Sequence, residues 1–273
     1  MLDLVAKAQL LEKKVKIMLE RGETQTSLHV TNELTELLST TLAFYQLEKQ
    51  KEVEKQIQSF INHRLHTIKN FKTPIECTSG AKVVIHLVPT NILDKDEITL
   101  DMNLVGKRPQ LLPLLSYSGY DYRYNFDGYV THYHSNNQTS YVQVFRNGCL
   151  EILDDGVFSS SEKRILPTRF EANLIQKLPT YVSFLQEHNI GGPYQVFITF
   201  INIEGYSLFI PNSFFSESHK INRDEFTLPT VQFNMKEEVS QKLKKTFDVL
   251  WNAGGYSASI NYQNGSWNPR NNY

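Results

Sequence analysis

Ser140-Tyr-Val-Gln-Val-Phe-Arg-Asn-Gly-Cys-Leu-Glu-Ile-Leu153 decides how this chain reads. Apolar and aromatic residues run through Ser140 to Phe145 and again through Cys149 to Leu153. Between them stands Asn147-Gly148, a dipeptide that readily takes the two positive φ values of a type I′ turn. A tight hairpin is expected there. Gly128 to His134, just upstream, has the same character, so the three segments should form an antiparallel meander. Farther back, Lys82-Val-Val-Ile-His-Leu-Val-Pro89 is a β-branched run closed by proline, the pattern of a well-buried strand. The intervening segment, about 90 to 122, is rich in Asp, Pro, Leu and Tyr without periodicity, and is expected to cross the sheet as a long loop.

Beyond the meander, Leu174, Leu178, Val182 and Leu185 share one stripe of a helix over Phe170 to Glu187, with Pro179 expected to kink or restart it near Lys177. Tyr194 to Ile203 and Tyr206 to Ile210 read as a second hairpin around Glu204-Gly205. Glu237 to Trp251 reads as a helix ended by Gly254-Gly255. Strands, helix, hairpin and helix in that succession make an α+β domain, 71 to 273, with a mainly antiparallel sheet and two packing helices.

Residues 1 to 70 are helical almost throughout. Leu4, Ala8, Leu11, Val15 and Leu19 step at four and three, and Gly22 is a natural stop. Leu34, Leu37, Leu38, Leu42 and Tyr45 form a second stripe with Thr31 or Asn32 available as its cap. The stripe resumes at Val53, Ile57, Phe60, Ile61, Leu65 and Ile68, past the charged stretch 48 to 55, which reads as a solvated face. These stripes are longer than a two-helix hairpin easily hides. One reading has the helices bury their stripes on one another as an antiparallel hairpin; the other has part of a stripe mate with a protein partner or a further copy of the chain, and the helical hairpin, 1 to 70, is expected to serve assembly.

Composition narrows the function classes. Lys plus Arg (28) nearly balances Asp plus Glu (29), so there is no general basic field to hold nucleic acid. No apolar run approaches the roughly 18 residues of a membrane span, and the start lacks a basic n-region followed by an apolar stretch, so no membrane and a cytoplasmic setting are expected. Cys77 and Cys149 read as reduced core residues. No G-x-x-x-x-G-K-[ST] stretch is present to cradle phosphates, and no cofactor is expected.

The segments Phe60-Ile-Asn-His-Arg-Leu-His-Thr-Ile68, Gly80 to Pro89, Arg123-Tyr-Asn-Phe-Asp-Gly128, Tyr141 to Gly148, and Phe247-Asp-Val-Leu-Trp-Asn252 followed by Asn261-Tyr262 and Trp267 occur in order over about 200 residues. In these the chain resembles the C-terminal region of bacterial proteins that carry an N-terminal Schlafen-like AlbA-type domain, often labelled ATP-binding or putative transcriptional regulators. Such proteins place the AlbA-type domain, associated with nucleic-acid binding, before this region; here only about 70 helical residues precede it. The resemblance thus implies the family's accessory region, in a prokaryotic system that handles nucleic acid, with defence or regulation as its setting. It carries no nuclease or ATP-binding residue onto this chain.

The residues themselves offer three chemistries. Arg123, Tyr124, Asn125, Asp127, Arg146 and Asn147 cluster at the ends of adjacent expected strands. Aromatic faces beside guanidinium groups suit single-stranded nucleic acid or a nucleotide, whereas an Arg123 to Asp127 ion pair would merely brace the meander. His132 and His134, two apart on a strand, leave the same face and could hold a metal with His86, Glu151, Asp154 or Asp155, which would make a metal-dependent hydrolase or nuclease. Trp251, on the last turn of its helix before two glycines, reads as a cap whose indole seals the core, and the polar, aromatic tail from Asn261 to Tyr273 either docks back or serves recognition. A non-enzymatic interaction module is the favoured reading.

Overall fold

The structure is a computed structural model and describes residues 2–90, 100–135, 138–210, 219–234 and 237–269. The first part of the expected 90 to 122 loop (91–99), Asn136 and Asn137, and the end of the tail lie outside the described residues, as does the side chain of Leu4. The chain forms two compact units, Met1–Phe60 and Ile61–Tyr273. The α+β class is as expected, but the boundary falls near 60, because the last residues of the second helix belong with the sheet.

In the first unit, α1 (Leu2–Glu20) turns at Gly22 (φ 73°), where the Gly22 amide donates to Leu19 and that of Glu23 to Met18. The helix α2 then runs unbroken from Thr24 to Lys69 and crosses the unit boundary. The expected cap at Thr31 or Asn32 does not form. Thr31 instead donates its hydroxyl to the Ser27 carbonyl at 2.8 Å, and Thr35, Ser39, Thr40 and Thr41 repeat that back-bond, so a hydroxyl-rich stretch stays helical. Leu11, Ser27 and Val30 are buried, and Val15, Met18, Leu34 and Leu37 half-buried. Leu38, Leu42 and Tyr45 remain over half exposed. The charged stretch is a solvated face, held by Lys51–Glu48 and Gln50–Glu54 bonds.

The second unit is built on β1 (Lys82–Pro89), flanked by β5 (Leu150–Asp154) on one side and β8 (Tyr194–Ile201) on the other. Chain order fills in β2 (Asp121–Tyr124), β3 (Gly128–Ser135), β4 (Gln138–Phe145), β10 (Glu225–Thr227) and β11 (Val231–Phe233), in an eight-stranded sheet ordered β10-β8-β1-β5-β4-β3-β2 with β11 also on β8. Every pairing in it is antiparallel.

Period-two alternation gives the sheet two working faces. Val83, Ile85, Val142, Ile152, Ile198 and Phe200 join one core with Phe170, Leu174 and Leu178 of α4 (Pro167–Glu187) and Leu243, Phe247 and Trp251 of α5 (Val239–Ala253). His86, Tyr141, Gln143 and Glu151 take the opposite face, toward Arg64 near the end of α2. The long connection before β2 contributes a short helix, α3 (Met102–Val105), and buried Leu112, Leu114 and Leu115. It is tied down where Thr131 donates to Leu112 and Tyr181 to Pro113.

Pro179 sits inside α4, which does not restart there but continues with the stripe on both sides buried. Two local expectations change. The turn at Asn147-Gly148 is not type I′: among the described residues Gly148 takes positive φ (83°) and Asn147 does not, its side chain instead accepting from the Cys149 amide. And β9 (Ser207–Leu208) does not return along β8. It pairs parallel with β7 (Arg164–Ile165), beside β6 (Phe158–Ser159), because β10 and β11 already occupy the far edge of β8. A last hairpin, β12 (Tyr262–Gln263) with β13 (Ser266–Trp267), closes the described chain.

Candidate functional site

At one end of the sheet the edge strand β2 alternates. Tyr122 and Tyr124 turn to one side, their rings 5.9 and 5.2 Å from that of buried Tyr129, and Asp121 and Arg123 turn to the other. Asn125 closes the turn into β3: its side chain accepts from the Gly128 amide at 2.8 Å and donates to Gln143 at 2.6 Å. Gly128 has no substitute there, since with φ 150° a Cβ would lie 2.1 Å from the Val144 carbonyl oxygen. The tip of this turn holds Phe126, 95% exposed. The Arg146 amide donates to the Asp127 carbonyl and its Nε to that of Phe126, both at 3.1 Å.

Tyr124, Asn125, Asp127 and Arg146 are thus brought together, with Arg123 on the same edge and Asn147 in the neighbouring turn. The expected Arg123–Asp127 ion pair does not form among the described residues. Both side chains are exposed, and Arg123 reaches away from the turn to donate to the Pro74 carbonyl. What brace exists is made by Asn125, Arg146 and Asn147 bonding to backbone. The outward remainder is a ridge of Tyr122, Tyr124 and Phe126, with exposed Arg123 on the other side of β2 and exposed Arg146 at the neighbouring turn.

Among the described residues, the histidine pair gathers no third ligand. His132 is half-buried and its pKa is lowered, by burial and then by Arg123, while His134 meets Thr139 at 3.4 Å. His86 lies three strands away, on β1, and is held against Glu151. Among the described residues, no group of three or more His, Cys, Asp or Glu side chains is placed to hold a metal ion.

The carboxylates proposed as ligands are committed elsewhere. Glu151, fully buried, accepts two bonds from the Arg64 guanidinium at 2.8 and 3.0 Å, one from Tyr141 at 2.8 Å, and faces His86 Nε2 at 3.1 Å. Burial alone would raise this carboxyl; the bonds from His86 and Arg64 overcome it and hold it down at about 2. Arg64 also lies over the Phe145 ring, 4.9 Å from its centroid. Asp154 accepts from the Ser116 amide and hydroxyl, yet burial pushes it up to about 6. Asp155 accepts from the Tyr117 hydroxyl and the Thr139 amide.

A third buried carboxylate explains the C-terminal motif. Glu171 on α4 accepts from Trp251 Nε1 at 2.6 Å, Asn261 Nδ2 at 2.7 Å, Ser259 Oγ at 2.8 Å and Trp267 Nε1 at 3.1 Å. Its pKa is raised by burial despite these donors, all of which are neutral. Trp251, Asn261 and Trp267 therefore dock the tail on one acceptor. Arg64 and Glu171 were overlooked in the sequence, although each carries a signal: a charge set within an apolar stripe, between Ile61 and Ile68 for one and before Leu174 and Leu178 for the other. No family model matches this chain, and no curated protein or solved structure matches it.

Proposed function

We propose that this chain is a non-enzymatic accessory module of a prokaryotic nucleic-acid-handling system, of the defence or regulatory kind, and that its helical N-terminal unit is the means of assembly. The observation that carries the reading is the apolar surface left open on α2, where Leu38, Leu42 and Tyr45 are 53%, 57% and 53% exposed. The commitment of Glu151, Asp154, Asp155 and Glu171 to partners within the fold supports it from the other side. No helix among the described residues is long and apolar enough to cross a membrane, so the open face has no transmembrane use. Any direct contact with a single strand would fall on the ridge of Tyr122, Tyr124 and Phe126.

The test is co-expression with the products of adjacent genes. The chain should co-purify with one of them, and the Leu38→Glu/Leu42→Glu variant, whose α2 stripe can no longer assemble, should not, while both proteins give the same thermal melt. A co-purifying partner that ignores the double variant, or a nucleic-acid hydrolase activity of the chain lost on replacing His132 and His134, would overturn the reading.

A further inference from the structure

At about 3.6 residues per turn, Leu38, Leu42 and Tyr45 lie on one stripe of α2, extended toward its start by Leu28, Thr31 and Thr35 and toward its end by Lys49 and Glu52. The adjoining stripe, Ser27, Val30, Leu34, Leu37 and Thr41, is the buried or half-buried one. The hairpin therefore shelters one stripe and leaves its neighbour open.

Building on the assembly reading above, we propose that a second copy of this chain covers the open stripe, laid antiparallel with Leu42 at the two-fold axis. The area matches what such a contact needs. Leu28, Leu38, Leu42 and Tyr45 are each between 53% and 62% exposed, which for side chains of this size leaves roughly 100 Å² apiece and roughly 400 Å² together. A standard interface takes about 800 Å² from each partner, and homodimer contacts are about 65% apolar, or roughly 500 Å². The methyls of Thr31 and Thr35 and the aliphatic stems of Gln46 and Lys49 supply the difference.

Charge sets the orientation. A parallel pair would stack Lys49 on its own copy and Glu52 on its own copy, two like-charge contacts along the seam. Reversal about Leu42 places Lys49 opposite Thr35 and Glu52 opposite Asn32, and it sets Leu38 beside Tyr45 of the second copy. The stripe is then complementary to itself, and the two-fold contact closes without leaving a face for further addition.

The intact purified chain, followed by light scattering and sedimentation over a dilution series, should be a dimer. Leu42→Glu should be monomeric, while Leu47→Glu, on the opposite side of α2, should stay dimeric; both should keep the parent's helical circular dichroism. Orientation is read with a short bis-maleimide, since the native Cys77 and Cys149 are buried. Leu42→Cys should cross-link between copies. Lys49→Cys should not, because antiparallel copies place those positions roughly 20 Å apart along the axis. Cross-linking at both positions, or dimers that survive Leu42→Glu, would overturn the antiparallel pair. A monomer at every concentration would also overturn it, and if that monomer still captures a neighbouring gene product through Leu38 and Leu42, the assembly reading stands without the second copy. A dimer that captures no neighbour leaves this pairing in place and removes the accessory role.

Discussion

Replacing Arg64 with alanine should be among the most damaging single changes available in the second unit. The guanidinium supplies two of the four contacts on Glu151, and its loss leaves a fully buried carboxylate with only Tyr141 and His86. Breaking a buried pair by removing one partner costs roughly 3 to 5 kcal/mol. For a unit of this size, 1 kcal/mol corresponds to about 2–4 °C, so melting should fall by roughly 6 to 20 °C. The acid limb gives an independent figure. The folded Glu151 carboxyl is depressed to about 2 from an ordinary 4.5, so its contribution is fully present above the ordinary value and is lost as pH falls toward 2. A shift of that width is worth about 3 kcal/mol. Urea melts by circular dichroism between pH 6 and pH 3 should show the parent losing more stability with acid than Glu151→Gln does, since the opposite contributions of the raised Asp154 and Glu171 carboxyls are common to both. The double variant Arg64→Met/Glu151→Gln, which leaves no lone charge, should recover much of what Arg64→Ala loses. An Arg64→Ala protein melting within about 1 °C of the parent would refute the reasoning, since the network would then be ornamental.

Glu171→Gln puts an amide among four donors, leaving at least one buried N–H unmatched at about 1 to 3 kcal/mol, and should free the segment after Trp251 to limited proteolysis. Because burial raises the folded Glu171 carboxyl, its ionisation costs stability as pH climbs through the raised value, a slope the glutamine variant should lack in melts from pH 4 to pH 8. Arg123→Ala should cost under about 1 kcal/mol and Phe126→Ala should leave melting unchanged, both side chains being exposed; a labelled single strand whose affinity falls in either variant would assign binding to the ridge, and unaltered titrations would retire it. His132→Ala/His134→Ala should fold normally and match the parent in metal content by elemental analysis, and stoichiometric metal lost in that variant would restore the metal-centre reading.

What the sequence disclosed follows from the range over which each signal acts. The runs at Lys82 to Pro89 and Gly128 to Leu153 announce strands because alternation and turn chemistry are local, and those strands form where expected. The parallel pairing of β7 with β9 was hidden, since two-residue strands carry no period and their pairing depends on the far edge of β8 being taken. The unbroken α2 was misjudged at Thr31 because a threonine can either cap a helix or bond back into one, and only the neighbouring turn decides. Among the candidate site residues, Asn125, Arg146 and Asn147 bond within the turns that the pattern marked. The Arg123–Asp127 pair failed because nothing in a four-residue spacing reports the Pro74 carbonyl, 49 positions away. Arg64 and Glu151, 87 positions apart, could be flagged singly as misplaced charges but not matched to each other.

The place of β1 has a bearing on how the protein comes into being on the ribosome. The meander of β3, β4 and β5 is local and can close as soon as residue 154 has emerged, taking β1 on one side. The other edge of β1, Val83 to Val88, must wait for β8, whose partners lie more than a hundred residues later in synthesis. For that interval a growing chain presents an apolar strand edge, open to neighbouring nascent chains on the same message. Slow translation between residues 154 and 201, or a nonsense mutation in that interval, would lengthen or fix this exposure, so aggregation in the cell should depend on codon pace there more than on the stability of the finished fold.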